Sequence, residues 1–179
     1  EEGLRAFWRW FGDSKVVDAE GRPLVVYHGT PNMSFSEFDA ETLGSNTRHQ
    51  TSGVGFYFTA WKDGARNYAD RGGKKGRLIE AYLRIESPLI ESWSSMPRSS
   101  EDAATMRSVA VEQGLDGIFV DDENPKLASE IVVFRPEQIK SAVGNRGTFD
   151  PADANILNQP AYHGTPHRGI EKFSTDAIG

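Results

Sequence analysis

The sequence predicts a strand-rich α+β domain. Three observations point there: a succession of short runs rich in Val, Ile, Phe and Tyr, only a few segments with helical spacing, and Gly- or Pro-containing turns between them. A chain of 179 residues, 37% hydrophobic and 26% charged, can bury the core of one domain without covalent staples. The expected organisation is an N-terminal amphipathic helix over 1–12, a main domain over 13–157 and a short additional segment over 158–179.

The elements follow in order. Leu4, Phe7, Trp8 and Phe11 have the three-and-four spacing of one helix face, and Gly12 is a plausible stop. Residues 14–18 and 23–28 read as two strands of a hairpin around Gly21. From Pro31 to Ser52 the chain is polar, with at most one short helix around 34–41, and so long a loop in a compact domain is often a functional lid. Strands are expected at 55–59 and 77–85, the latter ended by Ser87-Pro88, with a helix at 63–68 between them. The clearest helix spans 101–113, capped by Ser99 or Ser100 and closed by Gly114. Gly117–Val120 and Glu130–Phe134 are further strands, joined by an acidic loop.

A repeat is also visible. Tyr27-His28-Gly29-Thr30-Pro31 recurs as Tyr162-His163-Gly164-Thr165-Pro166, and the register holds through Phe38 with Phe173 and Gly44 with Gly179. Residues 158–179 therefore read as the truncated start of a second module. That copy has no counterpart of Tyr57 or Glu130, and no catalysis is expected from it.

Composition excludes several classes. With no cysteine, disulfide frameworks and thiolate-ligated metals are ruled out. A net charge of -6 argues against general affinity for phosphate backbones, which rests on basic patches. No apolar run approaches the roughly 20 residues of a membrane span, and the start, Glu1-Glu2-Gly3, has no signal-peptide pattern. A cytoplasmic monomer, read as a slice of something longer, is the expectation.

Certain residue types converge on one chemistry. His28 ends an apolar strand and is followed by Gly29, where a ligand can approach backbone N–H and C=O groups closely. Tyr57 and Tyr68 are spaced to sandwich a flat ring. Glu130 opens a strand after a polar loop, where a carboxylate can stay ionised near a cavity. Such a carboxylate could stabilise an oxocarbenium-like transition state and accept a proton from a nucleophile. Taken alone, His28 reads better as a satisfied strand-end histidine and His49 as exposed, while for Tyr68 core packing on a helix is the lesser alternative to stacking. The acidic stretch Asp121 to Glu123 lacks calcium-ligand spacing, so no metal is expected.

The ordered motifs Tyr-His-Gly-Thr at 27–30, Gly-Phe-Tyr-Phe at 55–58, Asn-Tyr at 67–68 and Glu-Ile-Val-Val-Phe at 130–134 resemble the poly(ADP-ribose) polymerase and diphtheria-toxin branch of ADP-ribosyltransferases. The stretch 10–30 and the run Phe134 to Ser141, followed by Gly144-Asn145 and Phe149-Asp150, are similar to ADP-ribosyltransferase modules of phage and mobile-element polyvalent proteins. That resemblance covers roughly residues 10–157. It implies a split, twisted β-sandwich with a few flanking helices, and a His-Tyr-Glu triad of His28, Tyr57 and Glu130. It further implies NAD as substrate, with His28 on a ribose hydroxyl, Gly29 and Thr30 on the carboxamide, Tyr57 and Tyr68 on the nicotinamide ring, and Glu130 on the 2′-hydroxyl. Arg48, His49 and Ser52 are candidates for phosphate or adenine contacts.

The implied activity is mono-ADP-ribosylation of a macromolecule, protein or RNA, in a bacterial host cell. The basic turn Arg71 to Lys75 and the acidic loop from Asp121 match no catalytic motif, and acceptor specificity could lie in either. An NAD glycohydrolase and a non-catalytic NAD- or ADP-ribose-binding module are the alternatives. A 2′-phosphotransferase ranks last, because its basic pocket residues cannot be placed here.

Overall fold

A computed structural model describes residues 2–31, 38–43, 50–71, 73, 75–144, 149, 152 and 156. The repeat segment 158–179, Arg48 and His49, and the expected helix start around Ser34 lie outside these residues. The described elements are α1 (Glu2–Phe11), β1 (Val26–Thr30), β2 (Phe56–Phe58), α2 (Lys62–Ala69), β3 (Arg77–Leu83), β4 (Pro88–Glu91), α3 (Ser100–Glu112), β5 (Gly117–Val120), β6 (Glu130–Val133) and β7 (Ile139–Ser141). This is the expected α+β mixture.

The strands form two sheets, ordered β1-β3-β7 and β2-β6-β5-β4. All pairings are antiparallel except β4 with β5. Alternation along the strands decides what each face meets. Ile79, Ala81 and Leu83 of β3 and Ile139 of β7 share one core with Phe56, Phe58, Phe119, Ile131 and Val133 of the larger sheet. Each sheet also buries its outer face. Helix α3 lays Ala103 and Ala110 over Ile118, Val120 and Val132, whereas α2 packs on β1 and β3. Burial on both faces explains why β5 and β6 read as unbroken apolar runs.

Several sequence expectations hold in detail. The Ser99 side chain accepts the N–H of Asp102 at the start of α3, and Gly114 takes φ +78° just beyond its end. Others change. The expected hairpin of 14–18 with 23–28 shrinks to a single bridge, Val17 with Pro23. The expected apolar face of α1 is also shifted: Phe7, Trp10 and Phe11 are buried, while Leu4 and Trp8 are 63% and 50% exposed. Trp10 turns inward because its indole N–H donates to the Glu137 carbonyl at 3.1 Å, a partner 127 residues away. Strands β4 and β7 were not expected. Ser87-Pro88 reads as a strand end, but proline at the first residue of an edge strand costs the ladder nothing.

Candidate active site

Strand pairing sets the site. The two sheets touch where Tyr27 of β1 exchanges both backbone hydrogen bonds with Thr59, at 2.8 and 3.0 Å. In an antiparallel ladder the next bonded pair would lie two residues on, Gly29 with Tyr57. That pair does not form. The Tyr57 carbonyl instead accepts a hydrogen bond from His28 Nδ1 at 2.8 Å. A carbonyl can only accept, so Nδ1 carries the proton and Nε2 is the acceptor nitrogen. The seam thus opens at His28, and the N–H and C=O of Gly29, pointing the same way as those of Tyr27, face the opening.

His28 packs its ring against Phe38 and Phe58, with centroids 5.1 and 5.4 Å away. Burial holds its pKa below the usual imidazole value, against the opposing pull of the Tyr57 carbonyl. The ring is therefore neutral at pH 7. Thr30, next along β1, is buried.

Packing gives Gly29 a reason of its own to be glycine. A Cβ there would run into the Ala65 carbonyl oxygen and lie 2.9 Å from the Ala69 nitrogen of α2, so the close neighbour on that side is a helix backbone. Removing the side chain lets α2 sit directly on β1, which brings Tyr68 to this part of the fold.

Tyr57 pairs with Val132 and therefore projects from the same face of the larger sheet as Val132 and Glu130. Its hydroxyl donates to the Thr51 carbonyl at 2.8 Å, and burial, with the charge of Glu130, pushes its pKa up to about 12. Tyr57 is therefore a fixed, neutral ring. Tyr68 is half-buried on α2, with the Arg71 guanidinium 4.4 Å over its ring. Among the described residues, no ring contact joins the two tyrosines. Ser52 sits half-buried in the short helical turn beside Thr51.

Glu130 differs from expectation in its electrostatics. The sequence suggests a carboxylate that stays ionised near a cavity, but burial raises its pKa to about 7. Among the described residues no ion pair or side-chain hydrogen bond holds it. The structure thus brings Tyr57 and Glu130 onto one face and joins His28 to them through the Tyr57 backbone, with the imidazole on the inner, Phe58 side. No group of three or more His, Asp or Glu side chains among the described residues is placed to hold a metal.

The family model described as ADP-Ribosyltransferase in polyvalent proteins matches residues 18–149, the span that holds every group above. The chain belongs to that family. A search of curated proteins returned no match. In this ADP-ribosyltransferase domain His28, Tyr57 and Glu130 lie on β1, β2 and β6, and no helix among the described residues is long and apolar enough to cross a membrane.

Sequence reasoning missed two supports of the candidate site. One is Thr51, whose backbone carbonyl fixes Tyr57, a role no side-chain type reveals. The other is Asp121, at φ +70°, whose carboxylate accepts the Trp93 N–H and the Ser129 hydroxyl, both at 2.7 Å. The left-handed preference of Asp was the available signal.

Proposed function

We propose that this domain is an NAD-dependent mono-ADP-ribosyltransferase that transfers ADP-ribose to a macromolecule of a bacterial host cell. The observation that carries the reading is the Glu130 carboxyl, which is buried on the Tyr57 face with no cationic partner among the described residues. The pyridinium of NAD is such a partner, and it supplies the charge that favours the ionised carboxylate. Gly29, beside the open seam, offers an N–H and a C=O to the carboxamide. Tyr57 and Tyr68 offer ring faces to the nicotinamide. His28 Nε2 accepts from a ribose hydroxyl, with Thr30 and Ser52 as further polar contacts.

Chemistry follows from these roles. The bond between C1′ of the ribose and the nicotinamide nitrogen breaks, and its electron pair neutralises the pyridinium. Positive charge develops on the ribose ring, where ionised Glu130 stabilises it, bonds the 2′-hydroxyl, and accepts the proton of the incoming nucleophile. Every group named comes from one chain, so a monomer suffices.

The test is incubation of the domain with NAD labelled in its adenylate half, with and without bacterial lysate, beside Glu130→Ala. Label transfer to macromolecules that disappears in the variant supports the transferase. Nicotinamide release without transfer indicates a glycohydrolase, and NAD binding with neither signal a binding module. Failure to bind NAD refutes the reading.

A further inference from the structure

Four chain segments meet at the end of the larger sheet that carries Glu130. Continuing the register of β2 with β6 places Thr59 beside Glu130, while β6 pairs Glu130 with Val120 and β5 pairs Val120 with Glu91. The two outermost segments each present an exposed tryptophan. Trp61, 66% exposed, follows Thr59 and donates its N–H to the Thr59 hydroxyl at 3.1 Å. Its ring lies on Gly64, where any side chain would collide with it. Trp93, 45% exposed, follows β4 and is tied through its N–H to Asp121.

Between them runs the loop 121–129, which is rigid and acidic. Asp121 is locked by both carboxylate bonds, and its own N–H donates to the Glu91 carbonyl at 2.7 Å. Ser129, the residue before Glu130, is held at both its N–H and its hydroxyl. The loop carries Asp121, Asp122 and Glu123 against Lys126 alone, and Leu127 is 67% exposed. Exposed indoles beside fixed carboxylates suit lysine and arginine side chains, through ion pairing and through cation–π contact. They repel a phosphate backbone, whose binding depends on basic groups.

We propose that the acceptor is a basic, extended segment of a protein, lying across this end of the sheet from Trp61 to Trp93 with its nucleophile over Glu130. The inference rests on the transferase reading above and names its substrate class. Three strand spacings of about 4.8 Å separate β2 from β4, roughly 14 Å, which about four residues of extended chain would span.

The experiment offers the domain and labelled NAD a Lys/Arg/Ser-containing hexapeptide, the same peptide with Glu replacing Lys and Arg, and total bacterial RNA. Label transfer and nicotinamide release are both followed. The basic peptide should be labelled at least about tenfold better than either competitor, with the advantage shrinking at high salt. Asp122→Lys with Glu123→Lys should reduce that transfer about tenfold while nicotinamide release to water is unchanged, and Trp93→Ala should raise KM for the peptide. Preferred labelling of RNA or of the acidic peptide, or undiminished transfer by the charge-reversed variant, overturns the inference. So does nicotinamide release without labelling of any of the three. Absence of nicotinamide release from the unaltered domain instead refutes the transferase reading on which it stands.

Discussion

Replacing Glu130 by Gln should stabilise the domain while abolishing its chemistry. In the unfolded chain this carboxyl titrates near 4.5 and in the fold at about 7. Between those values the native state holds the extra proton, so this group's contribution to stability is complete below pH 4.5 and is lost as pH rises to about 7. Above pH 7 the fold carries a desolvated carboxylate. At about 1.36 kcal/mol per pH unit, the loss amounts to about 3 kcal/mol. Gln keeps the shape without the charge. Glu130→Gln should therefore match the native sequence near pH 4.5 and exceed it by up to about 3 kcal/mol at pH 8, a rise in melting temperature of roughly 6–12 °C for a domain this size. Paired denaturant titrations at the two pH values measure the difference. Equal stability at pH 8, or a gain of the same size at pH 4.5, would refute the claim that a buried, unpaired carboxylate strains the fold. The variant should also release no nicotinamide, which places the cost at the residue the reaction needs.

Further outcomes follow from the same site. In the unaltered domain, kcat/KM for NAD should rise with pH through about 7 as Glu130 ionises, and a flat profile from pH 5.5 to 8.5 would contradict that assignment. His28→Ala removes the ring packed on Phe38 and Phe58 and frees the Tyr57 carbonyl, costing about 2–4 kcal/mol. If His28 holds the seam open, the Gly29 amide should exchange hydrogen more slowly in that variant than in the native domain. Gly29→Ala should destabilise by about 2–3 kcal/mol, read by thermal melting, because the new methyl meets the backbone of α2. Tyr57→Phe loses the bond to Thr51, about 1 kcal/mol, yet should keep nicotinamide release within a few-fold, whereas Tyr57→Ala should raise KM for NAD steeply.

The residues that carry the reading were legible because their signals are local. Unbroken apolar runs at β5 and β6, the cap and glycine stop of α3, and the ordered Tyr-His-Gly-Thr, Gly-Phe-Tyr-Phe and Glu-Ile-Val-Val-Phe motifs each occupy a few consecutive residues, and together they indicate both the fold class and the family. Strands β4 and β7 were not legible, because Pro-Leu-Ile-Glu and Ile-Lys-Ser become strands only when β5 and β3 offer them a ladder. The same holds for α1, whose spacing admits more than one inward face until Tyr82 and the Glu137 carbonyl select Phe7, Trp10 and Phe11.

Sequence alone thus determined the fold class, the family and the order along the chain of the residues that are candidates for the site. Tertiary structure decided their states: that His28 is neutral and protonated on Nδ1, that the pairing beside Tyr27 stops before Gly29, and that Glu130 titrates at about 7, well above the usual carboxylate range. The physical reason is that desolvation and hydrogen-bond geometry are set by atoms brought near by the fold, many of them distant along the chain, whereas residue identity and spacing are properties of the chain itself.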